Sequence, residues 1–203
     1  MRRGRFVVFE GGEGTGKSTQ AQILAERWGA VATREPGGTA LGAELRRVLL
    51  DPATGSIDLA AETLLMAADR AQHVAEVIEP ALASGRDVVC DRYIGSSVAY
   101  QGHGRGIEPD FVARLSEWAT SALLPDLVVL LVVPESVSRE RLGGDLDRFE
   151  QAGDDFHRRV SGGFLLQAAA DPDRWVVVDG LGSVAEVSER VAGVLDGRFD
   201  PPG

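Results

Sequence analysis

The sequence predicts an α/β fold, a parallel sheet with helices packed on both faces, and three observations predict it. Five short runs are apolar or nearly so: FVVF (6–9), AVAT (30–33), DVVC (87–90), LVVLLVV (127–133) and WVVV (175–178). Strands covered on both faces read as continuous runs of this kind rather than as alternating ones. Between the runs, apolar residues recur at helical spacing, and strand–helix alternation implies parallel strands joined by crossovers. The third observation is the glycine-rich stretch GGEGTGKST (11–19), which leads from the first run into the first helical pattern.

Taken in order, Ala21, Leu24, Ala25 and Trp28 repeat at i, i+3, i+4, i+7 after the glycine stretch. Leu64, Ala67, Ala71, Val74 and Ile78 mark the inner face of a long helix over roughly 59–84. Phe111, Leu115, Trp118 and Ala122 mark the apolar face of another, and residues 184–195 form the last. The charged segment SRERLGGDLDRFEQAGDD (138–155) reads as a lid, and the tail 196–203 as frayed. No repeat or linker divides the chain, so residues 1–203 read as one domain.

Composition excludes several function classes. The 203 residues carry a net charge of −10, which argues against a nucleic-acid binder or a protein of acidic membrane surfaces. No apolar run nears the ~20 residues of a membrane helix, and the apolar stretch near the N-terminus is too short for a signal peptide. One cysteine, Cys90, rules out a disulfide framework or a cysteine-cluster metal site, and fits a reducing cytoplasm. Of 21 basic residues only Lys17 is lysine, and there is no asparagine. A composition so biased towards arginine makes the one retained lysine a position where arginine does not fit.

That lysine completes G-x-x-x-x-G-K-[ST] as Gly11, Gly16, Lys17 and Ser18, between a strand and a helix. Glycines let backbone N–H groups turn inward around phosphates, and the helix N-terminus adds partial positive charge. Gly11, Gly12, Glu13, Gly14, Thr15, Gly16, Lys17, Ser18 and Thr19 are therefore the expected ATP-binding loop. Lys17 would reach the β- and γ-phosphates, and Ser18 would ligate Mg²⁺. The fold is then a P-loop NTPase-type three-layer sandwich, with its ligands beyond the C-terminal strand ends. Those ends carry Glu10, Arg34-Glu35, Asp91-Arg92, Pro134 and Asp179. A guanine switch would need an Asn-Lys-x-Asp element, which the chain lacks. An arginine at 92, beside a metal-linked carboxylate at 91, suits a second anion better than an attacking water.

The motifs EGGEGTGKST, TREPGGT (33–39), AADR (67–70), DRY (91–93) and SSVAYQG (96–102) follow one another as they do in bacterial thymidylate kinases, and the chain resembles that family over roughly residues 5–180. The resemblance implies a five-stranded parallel sheet, a helical lid, transfer of the ATP γ-phosphoryl group to dTMP with Mg²⁺ in dTTP synthesis, and a homodimer. It also implies residue roles. Arg92 and Arg46 would hold the acceptor phosphate, with Glu10 and Pro36 lining the site. Met66 and Arg70, one helical turn apart, would meet the base. Ser97 and Gln101 would touch the pyrimidine edge, and Tyr100 would crowd the sugar 2′ position. Glu13 would lie near acceptor and metal, with Asp91 acting on the ion through water. Met66 stands where the family often has phenylalanine. Some members carry an arginine where this chain has Gly14, so the lid would supply cations from Arg139, Arg141 and Arg148; Gly143-Gly144 stands where many relatives have another.

Other readings of single residues stay open at this level. Arg46 and Arg47 could be a solvated helix face, Arg34 and Glu35 could pair with each other, and Tyr93 could be core packing. His73, His103 and His157 read as surface or packing groups, since a phosphomonoester needs no histidine base. The rival functions are another small P-loop nucleotide or metabolite kinase and, in a different class, a P-loop ATPase module.

Overall fold

The computed structural model describes residues 2–143 and 147–199. Five strands, β1 (Phe6–Glu10), β2 (Val31–Arg34), β3 (Val88–Asp91), β4 (Leu127–Val132) and β5 (Trp175–Asp179), pair in the order β2-β3-β1-β4-β5. Every pairing is parallel, and central β1 aligns Val8 with Cys90 on one side and Val128 on the other. From β1 the chain crosses in one direction to edge strand β2 and returns to β3 beside β1, then crosses in the other direction to β4 and β5. The crevice beyond the C-terminal end of β1 lies where that direction reverses.

The pleat explains the continuous runs. Val7 and Phe9 point into one apolar layer, with Leu24 of α1 (Lys17–Trp28) and Val191 and Leu195 of α9 (Val184–Asp196). Phe6 and Val8 point into the other, with Ile78 and Leu82. Those two residues belong to a rod made of α3 (Leu59–His73), a π-helical turn (Val74–Ile78) and α4 (Glu79–Ala83). A third cluster, built on Tyr100, Leu130, Phe149, Phe156 and Phe164, lies under α8 (Asp154–Ala170). The remaining helices are α2 (Ala40–Leu50), α5 (Ile94–Ser97), which continues into a π-helical stretch (Val98–Gly104), α6 (Pro109–Ala119) and α7 (Glu135–Arg141).

Three sequence expectations change. The face of α6 expected inside is largely outside: Val112 and Ser116 are its buried residues, while Phe111 is 49% and Trp118 80% exposed. Ala122 lies beyond the helix, with φ of 58°. Leu64 likewise turns outward from α3, although Ala67, Val74 and Ile78 are buried as expected. The tail is also not frayed up to Phe199, whose ring meets Trp28 edge-on at 5.8 Å while Arg198 donates to the Asp173 carbonyl. Tail residues 200–203 and lid residues 144–146, Gly144 among them, lie outside the described residues.

Candidate active site

The helix at the phosphate loop begins differently from the other helices of eight residues or more. Side chains cap α2 (Thr39), α3 (Asp58), α6 (Glu108) and α9 (Ser183), and α8 carries Asp154 and Asp155 in its first turn. A cap of this kind stabilises a helix by about 1 kcal/mol. α1 has neither a side-chain cap nor an acid in its first turn, and starts from Gly16 in the left-handed region at φ 95°. Its N–H groups and partial positive charge are left for an anion. Two glycines are sterically required. A Cβ on Gly11 (φ 142°) would sit 2.4 Å from the Leu131 carbonyl oxygen, and one on Gly14 (φ 67°) 2.6 Å from that of Ser138. Helix α7 thus lies directly on the loop, where Ser138 Oγ donates to the Glu13 carbonyl at 2.7 Å. An arginine side chain at position 14 has no room, which explains that departure from some relatives.

Lys17 is 5% exposed, and its Nζ donates to the Gly12 carbonyl at 2.5 Å. Burial, then the neighbouring Arg92, pulls its pKa down to about 8 against the opposing charges of Glu13, Asp91 and Glu10. The ammonium is charged at pH 7 but uncomfortable, a state that a bound phosphate would relieve. Ser18 donates to Asp91 Oδ2, while Asp91 Oδ1 is buried with no partner among the described residues.

Arg92 follows at the end of β3 with φ 72°, the left-handed conformation that ordinary residues avoid. The turn sends its guanidinium back over β1. There NH1 donates to the Gly11 carbonyl (3.0 Å) and Ser96 Oγ (3.1 Å), and NH2 to Glu13 Oε1 (2.6 Å). Tyr100 donates to the same Glu13 oxygen at 2.7 Å. Burial pushes the Glu13 carboxyl up, but Arg92 and then Lys17 outweigh it and bring the pKa to about 2. Glu10 does not line this cleft. It accepts from the Tyr93 and Ser96 amides (3.0 and 2.9 Å) and from Ser96 Oγ (2.6 Å), so it anchors the turn that carries Arg92. Burial drives its carboxyl up to about 7 despite those hydrogen bonds.

Beyond Arg92 a cleft of about 540 Å³, open to solvent, is lined by Glu35, Pro36, Arg46, Met66, Arg70, Ser97, Tyr100, Gln101, Asp147 and Phe149, among others. Arg46 donates to the Pro36 carbonyl at 2.9 Å and belongs to the cleft, whereas Arg47 is exposed and pairs with Glu44. Arg70 is pinned: Nε on Glu35 (2.7 Å), NH1 on Ser116 Oγ (3.2 Å), NH2 on the Tyr93 carbonyl and Ser97 Oγ (3.0 Å each). Glu35 therefore pairs with Arg70 and with His73 Nδ1 (2.8 Å) rather than with Arg34, and His73 Nε2 meets Thr33 Oγ1 at 2.6 Å. Tyr93 is core, its hydroxyl on the Leu123 carbonyl.

The three lid arginines do not converge. Arg141 reaches the phosphate loop, with NH1 3.3 Å from the Gly14 carbonyl and NH2 3.2 Å from that of Gly180. Arg139 is exposed and pairs with Glu135 and Asp154, on the rim of a groove it shares with Gly11 and Gly12. Arg148 closes the acceptor side instead, with Nε on the Leu49 carbonyl (2.8 Å) and NH2 on Glu62 (2.5 Å). Sequence reasoning missed Glu62 and His73 as site neighbours. The signal was present: 62, 66, 70 and 73 follow helical spacing on the face already read for Met66 and Arg70.

A glycine loop on an uncapped helix, joined through one arginine to a second polar cleft, is the arrangement of a P-loop phosphotransferase. The chain belongs to the thymidylate kinase family. A sequence model of that family, described as Thymidylate kinase, matches residues 9–191. The chain is 47% identical to the thymidylate kinase of Cutibacterium acnes, over 95% of this chain and 98% of that one. It is 49% identical to that of Leifsonia xyli, over 97% of both. The crystal structure of thymidylate kinase from Ehrlichia chaffeensis superposes with a TM-score of 0.78 at 31% identity, covering 96% of this chain and 99% of that one. These relatives bear out the expected fold and enzyme class.

Proposed function

We propose that the chain transfers the γ-phosphoryl group of ATP to dTMP, giving dTDP for dTTP synthesis, within a single nucleoside monophosphate kinase domain (1–203) whose lid is about 138–155. One observation carries the reading: the Arg92 guanidinium bonds the Gly11 carbonyl of the phosphate loop while lining the second cleft, so donor and acceptor meet at a single cation.

The residues fit Mg²⁺. Hard oxygens suit it, and it is commonly held by one or two protein oxygens plus substrate phosphates. Asp91 Oδ1, buried without a donor among the described residues, and the Ser18 hydroxyl would hold it. Glu13 gives Oε1 to Arg92 and Tyr100, which leaves Oε2 for a metal-linked role. Bound Mg²⁺ neutralises charge on the donor phosphates. Lys17 and the loop amides from Gly11 to Thr19 hold the β- and γ-phosphates. Arg92 has its Nε–H and one NH2 hydrogen beyond its bonds to described residues, and these with Arg46 grip the acceptor phosphate. Arg141, already over the loop, is the lid cation best suited to the group in flight; Arg148 is held on the acceptor side by Glu62 and Leu49, and Arg139 at the exposed rim by Glu135 and Asp154. Much of the acceptor monoester is dianionic at pH 7, so its oxygen attacks without a side-chain base. Alignment and charge dispersal remove most of the barrier.

The base lies between Met66 and the Arg70, Ser97 and Gln101 edge. Tyr100 is wedged by Phe149, Phe156 and Phe164 at centroid distances of 5.7, 6.0 and 6.2 Å, a stiff wall suited to excluding a 2′-hydroxyl. A panel of nucleoside monophosphates with ATP and Mg²⁺ tests the function, with dTMP expected to be the preferred acceptor. ATP hydrolysis indifferent to every monophosphate would favour the ATPase reading. In the same panel Tyr100→Ala should lower the preference for dTMP over its ribo analogue by roughly 10- to 100-fold; an unchanged ratio refutes the wall.

A homodimer accounts for the outward apolar residues of three adjoining helices: Leu41 of α2, Leu59 and Leu64 of α3, Phe111 and Trp118 of α6. Leu64→Glu combined with Trp118→Glu should give a monomer in sedimentation analysis, and a persisting dimer would place the interface elsewhere. Among the described residues no helix is long and apolar enough to cross a membrane. The nucleotide substrates and one buried, unpaired cysteine fit work in the cytoplasm.

A further inference from the structure

We infer that Glu62 decides which pyrimidine the acceptor cleft takes, by fixing which end of the Gln101 amide meets the base; the inference rests on the cleft assignment above. Glu62 is fully buried on α3. Its Oε1 accepts from Gln101 Nε2 at 3.0 Å and from Arg105 Nε at 3.3 Å, and its Oε2 from Arg105 NH2 at 3.3 Å and Arg148 NH2 at 2.5 Å. Every partner is an N–H donor, and a carboxylate held by two guanidiniums only accepts. The Gln101 amide therefore cannot reverse. A flipped amide would set its carbonyl oxygen against the carboxylate and lose the Nε2 bond.

The consequence is on the other end. Gln101 Oε1 is buried with no donor among the described residues, and Gln101 lines the acceptor cleft. A buried carbonyl oxygen without a donor is costly, so this position selects a ligand that supplies an N–H. Arg70 lines the same cleft, and one NH1 hydrogen remains beyond its bond to Ser116. A fixed acceptor beside a fixed donor matches the N3–H and O4 edge of thymine or uracil. Cytosine presents the reverse order, a lone pair at N3 and an amino group at C4. Glu62 touches no substrate; it is a positioning residue, and Arg148 ties it to the lid.

The test measures kcat/KM for dTMP, dUMP and dCMP with the wild type, Glu62→Gln and Glu62→Asp. Glu62→Gln can donate as well as accept, so it frees the Gln101 amide to turn. Glu62→Asp keeps the charge for the two arginines but withdraws the oxygen from Gln101. Both should lower the dTMP:dCMP ratio by about tenfold or more while the dTMP:dUMP ratio holds. Folded variants that lose activity equally with all three acceptors overturn the inference, because general loosening does that. A wild type with no preference for dTMP over dCMP overturns the cleft assignment itself, and this inference with it. If neither variant folds, a crystal structure of the wild type with dTMP decides. N3 on Gln101 Oε1, with Nε2 still on Glu62, supports the inference; a reversed amide, or an N3 out of its reach, overturns it.

Discussion

Lys17→Arg should cost about 100- to 1,000-fold in turnover while leaving the melting temperature within a few degrees of wild type, the range expected when one preorganised hydrogen-bond donor is displaced from an anion-stabilising site. The reasoning is steric before it is electrostatic. Lys17 is almost wholly enclosed, with Nζ 2.5 Å from the Gly12 carbonyl, in a loop whose glycines are held against Leu131 and Ser138. A guanidinium is planar and larger, and it needs fork geometry that the enclosed site of a single ammonium does not offer. Charge is conserved, so a purely long-range role would leave the variant active. Stability should hold because burial already holds the native ammonium at a pKa of about 8; this group does not stabilise the fold at pH 7. Turnover within threefold of wild type would sink the loop assignment.

Arg92→Ala should be nearly inactive, with a loss of roughly 1,000-fold or more, since one side chain both grips the acceptor and ties the two sites together. Its effect on stability has two separable parts. The first is Glu13, which loses its strongest counter-charge. The carboxyl is held at about 2 in the folded protein against 4.5 in the unfolded chain. A depressed pKa of this sign contributes stability that is present above pH 4.5 and is lost as pH falls towards 2. The deficit of Arg92→Ala relative to wild type should therefore be full at pH 7 and shrink between about pH 4.5 and 2. The second part is backbone strain. At φ 72° glycine is at ease and alanine is not, by about 1 kcal/mol. Arg92→Gly should then be as inactive as Arg92→Ala yet unfold at higher denaturant concentration. Equal midpoints for the two variants would remove strain from the account, and activity within tenfold of wild type would remove Arg92 from the site.

Much of this site was legible in the chain. The phosphate loop, the strand-end acids and arginines, and the residues of 96–102 all lie in short segments where spacing alone states what faces what. Other relations were not. The helical period of α6 identified Phe111 and Trp118 as one stripe, but periodicity does not tell a stripe facing the core from one facing a second subunit, and here Val112 and Ser116 point inward. Pairing of Glu35 with its neighbour Arg34 was one reading the sequence left open. At the end of an edge strand, however, consecutive side chains point to opposite sides, and Glu35 turns inward to Arg70 and His73. The lid arginines looked equivalent. They separate because α7 lies on the phosphate loop while residues 147–149 close over Leu49 and Leu50.

Local order thus carried the fold class, the glycine loop and most of the groups that the structure gathers in the second cleft, because those follow from steric and periodic rules acting over a few residues. Which carboxylate meets which arginine, which end of an amide is held by a carboxylate and which apolar stripe is inside were settled only by packing. Glu62 and Arg148 are 86 positions apart, and Glu62 and Gln101 are 39 apart. Only the register of the parallel sheet and the helices laid across it bring such groups within hydrogen-bond distance.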